Sequence, residues 1–354
     1  MKLSDIANAL SAEISGDASI EVTRLVHPAD AEGAGDLALA LADEAFEALA
    51  GSRAAAAVVR PGKETRPGLP VVAYGGHERM ALVILSAMFA HPPEHAPGIH
   101  PSAVVAKDAR IADSASVGPL VTVGSQSEIG AGSILLAGAS VGAGVAIGRD
   151  CLIHSGARIG DRVRIGDRVT IHANTVIGSD GYSYIPVRNP DGSRNPLETP
   201  ARIHSLGSVE IGDDVEVGAG VTIDRGTLRD TRVGRGTKID NQVQIAHNVR
   251  IGESCIICGQ AGIAGSAVLG DRVILGGAVG VSDHVTIGSD ATVMAGAGVG
   301  SSIPAGAVVQ GSPAVPREQN VERFMNIGRL KMLYPKVGDL AKRLEALEKR
   351  GKGG

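Results

Sequence analysis

Residues 147–177 read IGRDCLIHSGARIGDRVRIGDRVTIHANTVI, with an aliphatic residue at every sixth position: Ile147, Ile153, Ile159, Ile165, Ile171 and Ile177. The register runs back through Val141, Leu135, Ile129, Val123, Val117, Ile111 and Val105 to Ile99, fourteen positions without a miss. It returns at Ile211, Val217 and Ile223, slips by four residues, and resumes from Val233 through Ile239, Ile245, Ile251, Ile257, Ile263, Leu269, Leu275, Val281, Ile287 and Val293 to Val299. An amphipathic helix repeats near 3.6 residues and a half-buried strand at 2. A strict period of six, with Gly often one position later, predicts a parallel β solenoid. Three hexads make a triangular coil of eighteen residues, and coils stack about 4.8 Å apart, the ordinary inter-strand spacing. Solenoids of this repeat coil left-handed, an exception to the usual crossover rule.

Composition agrees with that reading. The 354 residues are 44% hydrophobic but only 2% aromatic, with no Trp, so the core is filled by something other than large rings. Stacked Val, Ile and Leu fill a narrow solenoid interior without them. The 49 Gly residues suit tight corners that need positive φ. A formal charge of −4 gives no global attraction to nucleic acid or anionic membrane. The start, MKLSDIANAL, lacks the apolar core of a signal peptide, and no apolar run reaches membrane-spanning length. Three cysteines, Cys151, Cys255 and Cys258, suit a reducing compartment, and the expected location is cytoplasmic.

Three domains are expected. Residues 1–98 read as a small α/β domain, with helices near Leu3–Leu10 and Glu78–Phe89, strands near Ala54–Val59 and Leu69–Ala73, and a turn-rich boundary over His91–Gly98. Residues 99–313 are the solenoid, interrupted by a polar, Pro-rich stretch at 179–207. Such an excursion is either a disordered insert or a loop that covers a site, and the second reading is preferred. Residues 314–354 turn to helical spacing (Val321, Phe324, Ile327, Leu330, then Leu340, Leu344, Leu347), with Pro335–Gly338 expected to separate two helices. Their apolar stripe has no place in a filled solenoid, so bundling with other copies is expected.

Most of the ten histidines have plain explanations: His27, His77, His91, His95 and His100 lie in loops, and His154, His172 and His204 at solvated corners. Two stand apart, His247 in IDNQVQIAHNVRIG and His284 in GVSDHVTIG. They are 284 − 247 = 37 residues apart, two coils plus one residue, so both can line one groove. Gly265, one coil after His247 and flanked by Ala264 and Ser266, leaves a backbone N–H accessible to an oxyanion. The strip Ala295–Gly300 continues a side-chain-poor slot suited to a thin, long ligand. Cys255-x-x-Cys258 lacks a second pair and sits inside the hexad pattern, so no metal site is read there.

These residues resemble the UDP-3-O-acylglucosamine N-acyltransferases of lipid A biosynthesis. The resemblance runs nearly end to end and is most specific in IGSDGYSYIP, GSVEIGDDVEVGAGVTIDRGTL and KIDNQVQIAHNVRIG. It implies a homotrimer with sites in clefts between solenoids, placing His247 beside the excursion loop of an adjacent copy. It implies transfer of a 3-hydroxyacyl chain from the phosphopantetheine of acyl carrier protein to the 2-amine of UDP-3-O-(3-hydroxyacyl)glucosamine, the third step of lipid A, and so lipopolysaccharide, synthesis. By the same resemblance His247 is the general base, Asp240 an acidic partner and Gly265 the oxyanion donor. His284, Asn241 and Gln244 bind substrate, as do Phe46 and Leu39 in a uridine-binding N-terminal domain. No resident cofactor, metal or covalent acyl-enzyme is implied. Arg317, Arg323, Arg329 and Lys331 are candidate contacts for the acidic carrier protein.

The family's aromatic clamp for uracil, a motif like ISFxxNPKY, reads LALALADEAF here: Leu39 stands for Phe and Ala42 for Asn, leaving Phe46, with Tyr74 a possible substitute. A 3-amino sugar acceptor stays open. So does a hexapeptide nucleotide-sugar N-acetyltransferase using acetyl-CoA, although its site would be short. A solenoid carbonic anhydrase needs three converging histidines, and a structural or ice-binding solenoid would need neither the loop nor the N-terminal domain.

Overall fold

The computed structural model describes residues 1–91, 93, 95–195, 198–311 and 317–351. The expected boundary at 313/314 falls among residues outside that description, as do parts of the expected turn at His91–Gly98 and of the 179–207 loop. The chain divides into two compact units, Met1–Glu94 and His95–Gly354.

The first unit is a five-stranded sheet of β1 (Glu13–Ser15), β2 (Arg24–Val26), β3 (Asp36–Ala40), β4 (Ala56–Val59) and β5 (Val71–Ala73), in the order β1-β5-β4-β3-β2. Only β1 runs antiparallel to its neighbour. Alternate residues of β3 and β4 enter opposite clusters: Leu37 and Val58 join Leu3, Ile6 and Leu85, whereas Ala38, Ala40 and Val59 join Leu49. A parallel sheet covered on both faces demands such apolar strands. Helix α1 (Leu3–Leu10) buries Leu3, Ile6, Ala7 and Leu10, an i, i+3, i+4, i+7 stripe. Helices α2 (Asp43–Ala48) and α3 (Glu78–Phe89) complete the unit.

The second unit is a three-faced parallel solenoid. Its faces carry eleven strands (Gly98–Ile99 to Val308–Val309), ten strands (Val104–Val105 to Gly298–Val299) and nine strands (Arg110–Ile111 to Thr286–Ile287). Each strand pairs with the one a coil away, as Arg158–Ile159 with Val176–Ile177. Hexads between the two ends bury the register residue and the residue two before it: Val163 with Ile165, Val169 with Ile171, Val249 with Ile251. Within 179–207 the chain folds back on itself, with Tyr184–Ile185 antiparallel to Ala201–Arg202.

Two expectations change. Glycines such as Gly132, Gly144 and Gly156 do take positive φ at the corners, but most that follow a register residue serve close approach of coils instead: a Cβ on Gly130 would lie 2.3 Å from Gly148 O, and one on Gly252 would lie 2.5 Å from the Gly270 carbonyl carbon. The left-handed conformation falls two residues further on, often at non-Gly residues such as Arg162, Arg168, Asn174 and Asn248. The C-terminal segment is one helix, α4 (Arg317–Gly351), continuous through Pro335 rather than two. Proline removes one N–H bond and crowds the carbonyl four residues back, which kinks a helix, but the turns on either side keep their own bonds. Phe324, Ile327, Leu330, Leu340 and Leu344 on α4 are all exposed.

Because a Cβ at Gly252 meets backbone and one at Gly262 meets nothing within 4 Å, the two sites separate on substitution. Gly252→Ala is expected to destabilise the fold by about 1–3 kcal/mol and Gly262→Ala by much less, measured by denaturant unfolding.

Candidate functional site

His247 lies at the corner where the chain passes from the ten-stranded face (Gln244–Ile245) to the nine-stranded face (Arg250–Ile251). Its ring is flanked by two glycines. A Cβ on Gly265 would lie 2.6 Å from His247 Cε1, and one on Gly181 2.8 Å from His247 Cβ, so any side chain at either position collides with the imidazole. Gly181 belongs to the excursion loop of the same chain, so within one chain the loop already covers His247. From that loop Ser183 Oγ sits 3.1 Å from His247 Nε2.

The other ring nitrogen, Nδ1, is 3.1 Å from Asn248 Nδ2. Thr227 N–H donates to Asn248 Oδ1 at 2.7 Å, which turns the amide nitrogen toward the ring. Nδ1 then accepts, and the proton of the neutral imidazole lies on Nε2, facing Ser183. Gly265 N–H donates to no group among the described residues. Lower in the same column the Ala143 N–H is capped by Asp161, one coil on, at 2.8 Å; Asp283 holds the matching place beyond Gly265 and makes no such bond. The N–H expected of an oxyanion site is thus left uncapped.

A cavity of about 590 Å³ opens over this corner. Its walls come from the excursion loop (Ser183, Ile203), from the turn after Asp224 (Leu228, Arg229) and from the coil surface (Arg250, His284). His247 and His284 therefore share one cavity, with His284 held at φ +57° in the left-handed corner. On the other side of the corner a groove of about 610 Å³ runs along the ten-stranded face over Gly262, Gly280 and Gly298, with Gln244 at one end.

The four-residue slip in the register is the turn that carries Leu228 and Arg229, and sequence reading gave it no role. Its length was the available signal. Asp224, just before that turn, was also passed over although it lies in the quoted TIDRG segment. It is only 8% exposed and accepts from Ser179 Oγ at 2.7 Å and Gln244 Nε2 at 3.2 Å. Burial raises its carboxyl above the usual 3.8, while those two hydrogen bonds pull the other way.

The remaining expected residues lie elsewhere. Asp240 and Asn241 occupy the preceding corner, where Asp240 accepts from Gly259 N–H at 2.9 Å and Asn241 Oδ1 caps Ala219 N–H at 2.7 Å. Within one chain neither is at the His247 cavity. In the first unit Leu39 packs against one face of the sheet and Phe46 against the other, so they do not form one clamp. Lys63 Nζ lies 5.0 Å over the Phe46 ring, and Tyr74 is buried in the Leu37 cluster rather than free to stack. His27 and His77 cap short helical starts through Nδ1, and the His154 and His172 rings stack with centroids 4.7 Å apart. Among the described residues no helix is long and apolar enough to cross a membrane.

A group whose folded pKa is raised stabilises the fold fully below its unfolded value and loses that contribution as pH rises through the folded value. Asp224→Asn, which keeps the shape and removes the buried charge, is therefore expected to gain in stability relative to the parent as pH rises from about 3.8 toward neutral. Denaturation midpoints across that range test it; a pH-independent difference would count against a raised Asp224.

The repeat matches the family described as "Bacterial transferase hexapeptide (six repeats)" at residues 126–161, 144–179 and 230–265. A UDP-3-O-acylglucosamine N-acyltransferase of Ruegeria pomeroyi is 49% identical over 223 residues, 60% of this chain and 61% of that protein. The match thus spans about three-fifths of the relative's length. An Arabidopsis UDP-N-acetylglucosamine acyltransferase structure aligns with TM-score 0.53 and 28% identity over 60% of this chain and 71% of that one. The chain is thus a hexapeptide-repeat β solenoid similar to the acyltransferases that act on UDP-glucosamine derivatives.

Proposed function

We propose that the protein is an N-acyltransferase that moves a 3-hydroxyacyl chain from acyl carrier protein to the 2-amine of UDP-3-O-(3-hydroxyacyl)glucosamine. The observation that carries the reading is the His247 corner: an imidazole flanked by Gly181 and Gly265, beside an uncapped N–H, at the floor of a cavity. The similarity to the Ruegeria pomeroyi enzyme supports the same substrate class.

The acceptor amine takes the place of the Ser183 hydroxyl at Nε2 and attacks the thioester carbonyl. His247 accepts the amine proton as the N–C bond forms, the role of a general base. Its resting proton must first move to Nδ1, so Asn248 turns its amide oxygen inward when the amine binds. The tetrahedral oxygen takes the Gly265 N–H. Collapse breaks the C–S bond, and the leaving thiolate recovers the proton from His247. The glycine groove beside Gln244 holds the acyl chain, with no side chains over Gly262, Gly280 and Gly298 to fill it. A groove of this length disfavours the acetyl-CoA alternative, whose acyl group needs no slot. Nothing in this sequence of steps calls on a resident cofactor.

The active form in this reading is a homotrimer, with α4 helices bundled through their exposed apolar residues. Asp240 then reaches the chemistry only across a contact between copies. The basic residues of α4, Arg317, Arg323, Arg329 and Lys331, receive the acidic carrier.

His247→Ala should lower turnover by about 10²- to 10⁴-fold, the usual weight of general acid–base catalysis, with unfolding unchanged. A mass-spectrometric acyl-transfer assay over carrier proteins of several chain lengths, with acetyl-CoA in parallel, reads this; near-parent activity removes the mechanism. Deleting residues 317–354 should reduce the mass of the assembly or raise the KM for acyl carrier protein, and unchanged values for both would remove α4 from either role.

A further inference from the structure

The outward column of the nine-stranded face runs Arg164, Glu210, Arg232, Arg250, Val268, each paired with the next across adjacent coils. Its lower rungs are compensated. Arg164 reaches Asp230 at 2.7 Å and Glu210 at 3.5 Å, and Arg232 reaches Glu210 at 3.1 Å. Arg250 breaks the pattern: its neighbours are Arg232 on one side and Val268 on the other, and it has no carboxylate partner among the described residues. Like charges directly opposite in a sheet are destabilising. A second arginine whose side chain has no hydrogen-bond or ion-pair partner among the described residues, Arg229, lines the same cavity from the register slip. By contrast Arg162 and Arg225 nearby are held by backbone carbonyls, and Arg202 by Asp180.

We infer that Arg229 and Arg250 form a phosphate subsite beside His247. Two arginines lining one cavity suit a phosphate monoester or diester, which a guanidinium can grip through paired N–H groups. The apolar remainder of that cavity wall, Ile203, Leu228 and Val268, suits the uncharged part of the same ligand. A bound phosphate also relieves the Arg232–Arg250 repulsion. Two sources of that chemistry exist if the proposed reaction is right, the pantetheine arm of the donor and the diphosphate of the acceptor, and to that extent the inference rests on the proposed function.

The test is binding, independent of turnover, by isothermal calorimetry on the full-length protein. It compares 4′-phosphopantetheine with pantetheine, and UDP with uridine. The parent should bind one phosphate-bearing probe about tenfold or more tightly than its phosphate-free counterpart, and the arm that discriminates names the source. Arg229→Gln combined with Arg250→Val, which extends the apolar rung of Val268, should abolish the discrimination without loss of fold stability. Equal binding within both pairs overturns the subsite. So does a fall in assembly mass in the double variant, which would assign the arginines to carboxylates of a second copy. Failure of acyl transfer in the parent with discrimination intact would overturn the reaction alone.

Discussion

Everything in the second unit depends on backbone pairing between residues one coil apart. Each two-residue strand donates to the coil above and accepts from the coil below, so no single strand is stable by itself and every coil is held by its neighbours. That pairing fixes the radius, and the radius fixes what fits: two aliphatic side chains per hexad inside, and a glycine wherever the next coil's carbonyl comes within 2.5 Å of a would-be Cβ. The scarcity of aromatic residues and the abundance of glycine are two results of one dimension.

The same pairing builds the site. Columns of side chains one coil apart are brought into contact, so His247 meets Gly265 without any loop having to find it. Departures from the period then supply what a regular column lacks. The long excursion brings Ser183 to Nε2 and the four-residue slip brings Leu228 and Arg229 to the rim. Regular coils form the base of the cavity, and the two irregular segments wall it.

This division explains what could be read in advance. The six-residue period located the strands, and the amphipathic stripe located α1, because both depend on local spacing. His247 and Gly265 are legible as one column by counting eighteens, and His284 falls one residue off the same count. Asp240 lies seven residues before His247, one hexad and one residue, which puts it on the previous corner of the same chain. Ser183 lies 64 residues from His247, across a segment with no period, and its return path is set by tertiary contacts that spacing does not encode. The burial of Asp224 follows from that return as well, since Ser179 at the base of the loop covers it. Pro335 has a local cost that spacing alone reads as a stop, whereas a helix as long as α4 absorbs it.

The placement of both irregular segments at corners carries one more consequence. An insertion there leaves the coil at one residue and rejoins it in phase, so the paired strands on either side do not feel its length. Substitution and insertion are therefore tolerated in opposite places: the faces accept new outward side chains but no change in spacing, and the corners accept new loops but few side chains near the next coil. A scaffold of this kind can change what it recognises by exchanging whole loops between otherwise unaltered coils.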